Sequence, residues 1–204
     1  MMALHEPAER RRFLTFAEGK LREKVDEGTP GAVFRSGDTP DGGHFEKWEM
    51  VYPGITAKIT KVELQLGTYG KQVLAHMTDE NDEEYILALG AKTRNGVNFM
   101  QTLPNLDLTK DVTIKAFKTF TTKDGKEIQG GISISQDGEK KYSYFYDPEA
   151  KKNLHGMPEP EKDKRTKEID WDTYWPVRDK WLQDYLLDNG YMTFVDATEA
   201  PADT

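Results

Sequence analysis

Three groupings of side chains in this sequence could do chemistry. The first is histidine. His5, His44, His76 and His155 lie in four separate regions, and none forms the paired motif that puts two zinc ligands on one helix face. The second is the run Asp79-Glu80-Asn81-Asp82-Glu83-Glu84. Its carboxylate oxygens suit a divalent cation. It lacks the glycine at the sixth position and the closing glutamate of a calcium-binding EF-hand loop, and a like-charge run reads as a solvated hairpin loop. There is no nucleophile-elbow serine and no Gly-rich dinucleotide fingerprint. The stretch Ser36-Gly37-Asp38-Thr39-Pro40-Asp41-Gly42-Gly43 lacks the Gly-Lys-Ser/Thr ending of a phosphate-binding loop. These patterns argue against an enzyme and imply no catalytic residue, metal or cofactor.

The third grouping is lysine alternating with aromatic rings. Val112, Ile114 and Ala116 point one way along a period-two segment, and Thr113, Lys115, Phe117 and Thr119 point the other. An outward phenylalanine flanked by lysine is what a base-stacking platform with phosphate partners requires. The alternative is that terminal helices cover this face, since large apolar side chains are usually buried. Lys118, Lys123 and Lys126 surround the tip marked by Asp124-Gly125. Tyr69 and Lys71 share a face with Val73 and Ala75. Lys140, Tyr142, Tyr144 and Tyr146 alternate onto one face, which suits either a ligand platform or a seam against a helix. Trp48, Lys58 and Arg94 complete the candidate set for contacts to nucleic acid.

The elements that must position these residues follow from periodicity. Strands are expected at 55–66, 71–77, 83–89, 111–120 and 128–135, with a helix over 94–103 between the third and fourth. That is the chain order of an oligonucleotide/oligosaccharide-binding (OB) barrel. Its loops between strands 1–2 and 4–5 commonly hold single strands; here 67–70 is too short to wrap a ligand and 121–126 is the better clamp. Before the barrel, Phe13, Leu14, Ala17, Leu21 and Val25 recur at helical spacing, so a helix is expected over 7–27, ended by Gly28-Thr29-Pro30-Gly31. A strand at 44–52 places Trp48 on one side and Phe45 and Val51 on the other. A sixth strand is expected at 140–146. A linker over 148–167 then leads to a helix over 173–188, whose apolar stripe runs through Trp175, Trp181, Leu182, Tyr185 and Leu186. The expected class is mainly β: a five-stranded OB barrel (44–147) with added strands, an N-terminal helix and Gly-rich loop (1–43), a linker and C-terminal helix (148–190) and an acidic tail (191–204).

Charge is compatible with a polyanion despite its sign. The net charge is −8. Residues 153–204 hold six basic and twelve acidic side chains, whereas Tyr85 to Lys152 holds eleven basic and eight acidic. Local potential, rather than total charge, governs where phosphates dock. Cysteine is absent, and no apolar run approaches the ~20 residues of a membrane span. The expectation is a cytoplasmic protein with no membrane partner.

With these residues in place, the chain resembles bacteriophage single-stranded DNA-binding proteins with one OB domain. The likeness is carried by the strand order over 55–135, the Lys and aromatic positions 115–118 and 142–146, the phrase Phe99-Met100-Gln101-Thr102-Leu103-Pro104-Asn105-Leu106-Asp107, and the acidic C-terminus. The resemblance implies sequence-tolerant binding of single-stranded DNA in replication or recombination, within an infected bacterium. It also implies recruitment of replication or recombination proteins by the tail. In several family members an aromatic residue closes that tail; here the sequence ends Ala-Asp-Thr, and the nearest aromatic is Phe194. The competing class is a structural or carbohydrate-binding β-domain such as a virion component.

Overall fold

The apolar spacing of residues 12–25 fits the helical period, but the structure takes the shorter one. In the computed structural model, which describes residues 11–38, 42–67, 70–163 and 165–196, this stretch is not the expected helix. It is a hairpin of β1 (Arg12–Ala17) and β2 (Lys20–Val25). Glu18 (φ 53°) and Gly19 (φ 71°) turn it, and two consecutive left-handed residues cannot continue a helix. Leu14 and Leu21 are buried on its inner face. Arg12, also turned inward, donates to Glu23 (3.0 Å) and to the hydroxyls of Tyr52 (2.6 Å) and Tyr85 (2.8 Å).

The chain continues through β3 (Val33–Asp38), β4 (His44–Tyr52), β5 (Gly54–Gly67), β6 (Gly70–Thr78) and β7 (Glu84–Gly90) to helix α1 (Arg94–Thr102). There follow β8 (Asp111–Phe117), the short pair β9 (Phe120–Thr121) and β10 (Glu127–Ile128), β11 (Gly131–Gln136) and β12 (Glu139–Lys140). The small pair β13 (Tyr146–Asp147) and β14 (Lys152–Asn153) precedes α2 (Trp171–Asp188) and β15 (Thr193–Val195). The expected strand over 111–120 therefore stops at Phe117. The expected sixth strand is confined to β12, because the chain leaves the sheet after Lys141, whose N–H still donates to Ile134 O (2.9 Å).

The protein is mainly β, with one large mixed sheet. Its order is β12-β11-β8-β5-β6-β7-β1-β2-β4-β3, with β15 added in parallel to the far half of β5. Within it, the strands expected to build the barrel are neighbours in the order β11-β8-β5-β6-β7. A closed five-stranded barrel is not what forms, however. Among the described residues no pairing joins β7 to β11; β7 takes β1 in parallel instead. The N-terminal hairpin thus supplies the strand that occupies the edge of β7.

Helix α1 bridges β7 and β11. Gly96 lies against the end of β7 so closely that a Cβ there would stand 2.1 Å from the Gly90 carbonyl oxygen. On the other side, Asn98 Nδ2 donates to Ile132 O (3.1 Å), and Ile132 N–H donates to Asn95 Oδ1 (3.2 Å). Thr93 caps the helix by accepting from the Gly96 N–H (3.2 Å). One apolar core joins the sheet's inner face to both helices, through Leu64, Leu87 and Ile114, Met100 and Leu103 of and after α1, and Leu182 and Leu186 of α2. Each such side chain contributes about 1.5–3 kcal/mol by burial. No helix among the described residues is long and apolar enough to cross a membrane.

Candidate nucleic-acid interface

Strand β8 presents the expected two faces. Val112 and Ile114 are fully buried, while Lys115 is exposed, between Gly54 of β5 and Ser133 of β11. Phe117 lies opposite Gly131 and is half-buried. Its ring meets Phe120 edge-on, with centroids 6.3 Å apart at 70°, and Phe120 is 50% exposed. Because β8 ends at Phe117, Phe120 escapes the core side that a longer strand would have assigned to it. Sequence reasoning missed it for that reason.

Beyond Phe117 the chain swings out through Lys118 into the β9–β10 hairpin. Lys123 and Lys126 stand at its tip, and Thr122 N–H donates to Lys126 O (2.8 Å). Arg94, the first residue of α1, donates to Gln129 O (3.2 Å) and so stands beside the same segment. Residues 113–131 carry Lys115, Lys118, Lys123 and Lys126 against Asp124 and Glu127. Among the described residues these four lysines have no ion-pair partner, whereas Lys47, Lys61, Lys110 and Lys180 each have one. Unpaired ammonium groups keep their charge available to an outside anion.

Two depressions flank this wing. An open cleft of about 600 Å³ is lined by Phe16, Glu18, Gly19, Lys118, Gln129 and Gly130, together with Thr119. The β1–β2 turn forms its far wall. Gly19 packs so tightly there that a Cβ would fall 2.5 Å from the Lys118 side chain. A smaller recess of about 220 Å³ lies along β5 and β8, bordered by Pro53, Gly54, Thr56, Thr113 and Lys115. The cleft wall from the N-terminal hairpin had no signal in the sequence, since that segment read as a helix.

The remaining candidates do not join this cluster. Lys58 is exposed on β5, opposite Asp111 at the other end of β8. Lys71 Nζ donates to Gln183 Oε1 (3.2 Å) and is drawn to α2. Trp48 lies on β4 beside Phe34, with ring centroids 5.4 Å apart, four strands beyond β6 in the sheet order. Tyr69 and residues 197–204 of the tail lie outside the described residues.

The expected tyrosine stripe is broken up because its strand does not form. Tyr142 is 66% exposed, with Lys140 Nζ 5.1 Å from its ring centroid. Tyr144 is half-buried in the seam, stacked on His155 at 3.8 Å. Between the tyrosines, Phe145 is fully buried against Trp181 and Tyr185 of α2.

The acidic run forms the turn between β6 and β7. Asp79 Oδ1 accepts the N–H groups of Asn81 (2.9 Å) and Glu83 (3.0 Å). Among the described residues no group of three His, Asp or Glu is placed to hold a metal ion. Comparison with protein families, with curated proteins and with solved structures gives no match.

Proposed function

We propose that this protein binds single-stranded DNA with little sequence preference, in replication or recombination and in a bacteriophage setting. The observation that supports it is one cluster: unpaired Lys115, Lys118, Lys123 and Lys126 gathered around the edge-packed Phe117–Phe120 pair, beside an open cleft. In this reading β11-β8-β5-β6-β7 serves as an OB-like sheet, the rings stack on bases, and the lysines neutralise phosphates. The acidic segment 191–204 is the proposed contact for replication or recombination proteins, and a pull-down with and without residues 196–204 tests it; equal recovery of partners would remove that role.

Titration of fluorescent oligo-dT at two salt concentrations tests the binding itself. Phe117→Ala and Phe120→Ala should each weaken binding by ~1–3 kcal/mol if the ring stacks on a base, with the melting temperature little changed. Affinity should fall with salt at a slope near −0.7 per phosphate contact, and each of Lys115→Ala, Lys118→Ala and Lys126→Ala should flatten that slope by up to about one contact. A flat salt dependence in the parent protein would defeat the proposal. A second reading, a carbohydrate-binding or structural β-domain, is favoured by Trp171 and Trp175, which stack 4.8 Å apart at 18° and are 44% and 41% exposed. Salt-insensitive binding of an oligosaccharide, abolished by Trp175→Ala, would support that reading.

A further inference from the structure

A second concentration of positive charge lies on the three strands β2, β4 and β3. Leu21 and Tyr52 pair with each other on the core side of these strands. Alternation therefore places Arg22, Lys24, Glu49, Lys47 and Arg35 together on the opposite side, and the register sets Lys24 and Val33 against Glu49 and Arg35 against Lys47. Glu49 is 1% exposed. It accepts from Arg22 Nη1 (3.0 Å) and from Arg35 Nε (2.8 Å) and Nη2 (2.9 Å), and pairs with Lys47 Nζ (3.0 Å). The Arg35 guanidinium and the Lys47 ammonium both lie over the Phe45 ring, at 4.8 and 5.1 Å. Lys24 is exposed and, among the described residues, has no ion-pair partner.

This surface is continuous with the wing around Lys115 and Lys118. Pro53 alone separates β4 from β5, and its carbonyl accepts from Ala116 N–H (2.8 Å) while Gly54 pairs with Lys115. Glu18, which lines the cleft with Lys118, is also bound by Arg22 Nη2 at 2.6 Å. One strand path thus leads from Lys115 to Lys47, roughly 20 Å at the usual rise per residue.

We infer that the outer face of β2, β4 and β3 is a second phosphate-binding surface, which extends the proposed interface so that a longer single strand is held across both. The inference rests on the single-stranded DNA reading and adds where the strand goes. The physical argument is charge excess. A bidentate Arg35 satisfies the buried Glu49, and two further cations on the same carboxylate repel each other. Among the described residues, Arg22, Lys24, Arg35 and Lys47 face the carboxylates of Glu49 and Glu18, and backbone phosphates supply further negative charge. Phe45 holds Arg35 and Lys47 in place by cation–π attraction.

The test compares oligo-dT of about 8 nucleotides with oligo-dT of about 25, lengths that bracket single-strand site sizes. The parent protein should bind the longer strand with a steeper salt slope. Lys24→Ala/Lys47→Ala should flatten that extra slope by about one contact per lysine and leave the short-strand affinity unchanged. Lys24→Ala alone, at an exposed position with no ion-pair partner among the described residues, should show half the effect with no change in melting temperature. If both variants bind both lengths as the parent does, this surface is not on the path, while the Phe117–Phe120 reading stands. If the parent binds neither length, the single-stranded DNA reading falls and this inference with it.

Discussion

Glu49→Ala is expected to lower the stability of the folded protein by ~3–5 kcal/mol, the usual consequence of removing one partner from a buried ion pair. Glu49 is buried, and Arg22 is also largely buried. Without the carboxylate, Arg22, Arg35 and Lys47 face one another on adjacent strands, with Glu18 and the Ala17 carbonyl left as acceptors for Arg22. The denaturation midpoint in urea measures the loss, and Glu49→Gln controls for side-chain volume. Burial pushes the Glu49 carboxyl up, but hydrogen bonds from Arg35 and Lys47 and their positive charge outweigh it and hold it at about 2. A carboxylate lowered on folding contributes stability that is fully present above the ordinary glutamate value of ~4.3 and is lost as pH falls through its folded value. The stability gap between parent and Glu49→Gln should therefore be constant from neutral pH to about 5 and should narrow as pH falls below about 4. A gap that stays constant down to about pH 2 would mean that the Glu49 charge is not what holds these strands.

Phe145→Ala should also cost ~3–5 kcal/mol, as expected for a fully buried phenylalanine. Phe145 is the point at which the segment after β12 locks onto α2. Its ring meets Trp181 (5.4 Å, 86°), Tyr185 (5.0 Å, 87°) and Tyr144 (5.2 Å, 86°) edge-to-face. Such pairs contribute about 0.5–1.5 kcal/mol each beyond area burial. Its carbonyl accepts from Leu154 N–H (2.9 Å), which ties down the following loop. Hydrogen exchange should show amide protection falling more in α2 than in β5 and β6, since α2 docks through this residue and β5 and β6 pair with each other. Loss of less than about 1 kcal/mol, or equal loss of protection in helix and sheet, would mean that α2 is held by other contacts.

How much of this was legible in the sequence follows from the range of each signal. Strands β4 to β8 and both helices stand within a few residues of their expected places, because alternation and 3.6-residue periodicity are properties of near neighbours. The outward face with Lys115 and Phe117 was readable for the same reason, since side-chain direction in a strand is set by parity alone. Residues 12–25 were not: Phe13, Leu14, Ala17, Leu21 and Val25 fit the helical period, whereas the hairpin buries Leu14 and Leu21 and leaves Phe13 exposed. The turn at Glu18-Gly19 and the open edge of β7 decide for the hairpin. Residues 140–146 alternate well enough for a strand, yet leave the sheet after Lys141, because burying Phe145 under α2 outweighs further pairing.

By itself, then, the sequence determined strands β4 to β8, both helices, their inner faces and a basic, aromatic wing around Phe117. Tertiary structure alone decided which edge met which strand. It formed an open cleft between the β1–β2 turn and Lys118, replaced the expected barrel by a larger mixed sheet, and gathered Arg22, Arg35 and Lys47 around Glu49 from three strands. The reason is that local patterning fixes where a side chain points relative to its own strand. Its neighbours across the sheet depend on which distant backbone hydrogen-bonding edge is left free to pair, and no short window of sequence records that.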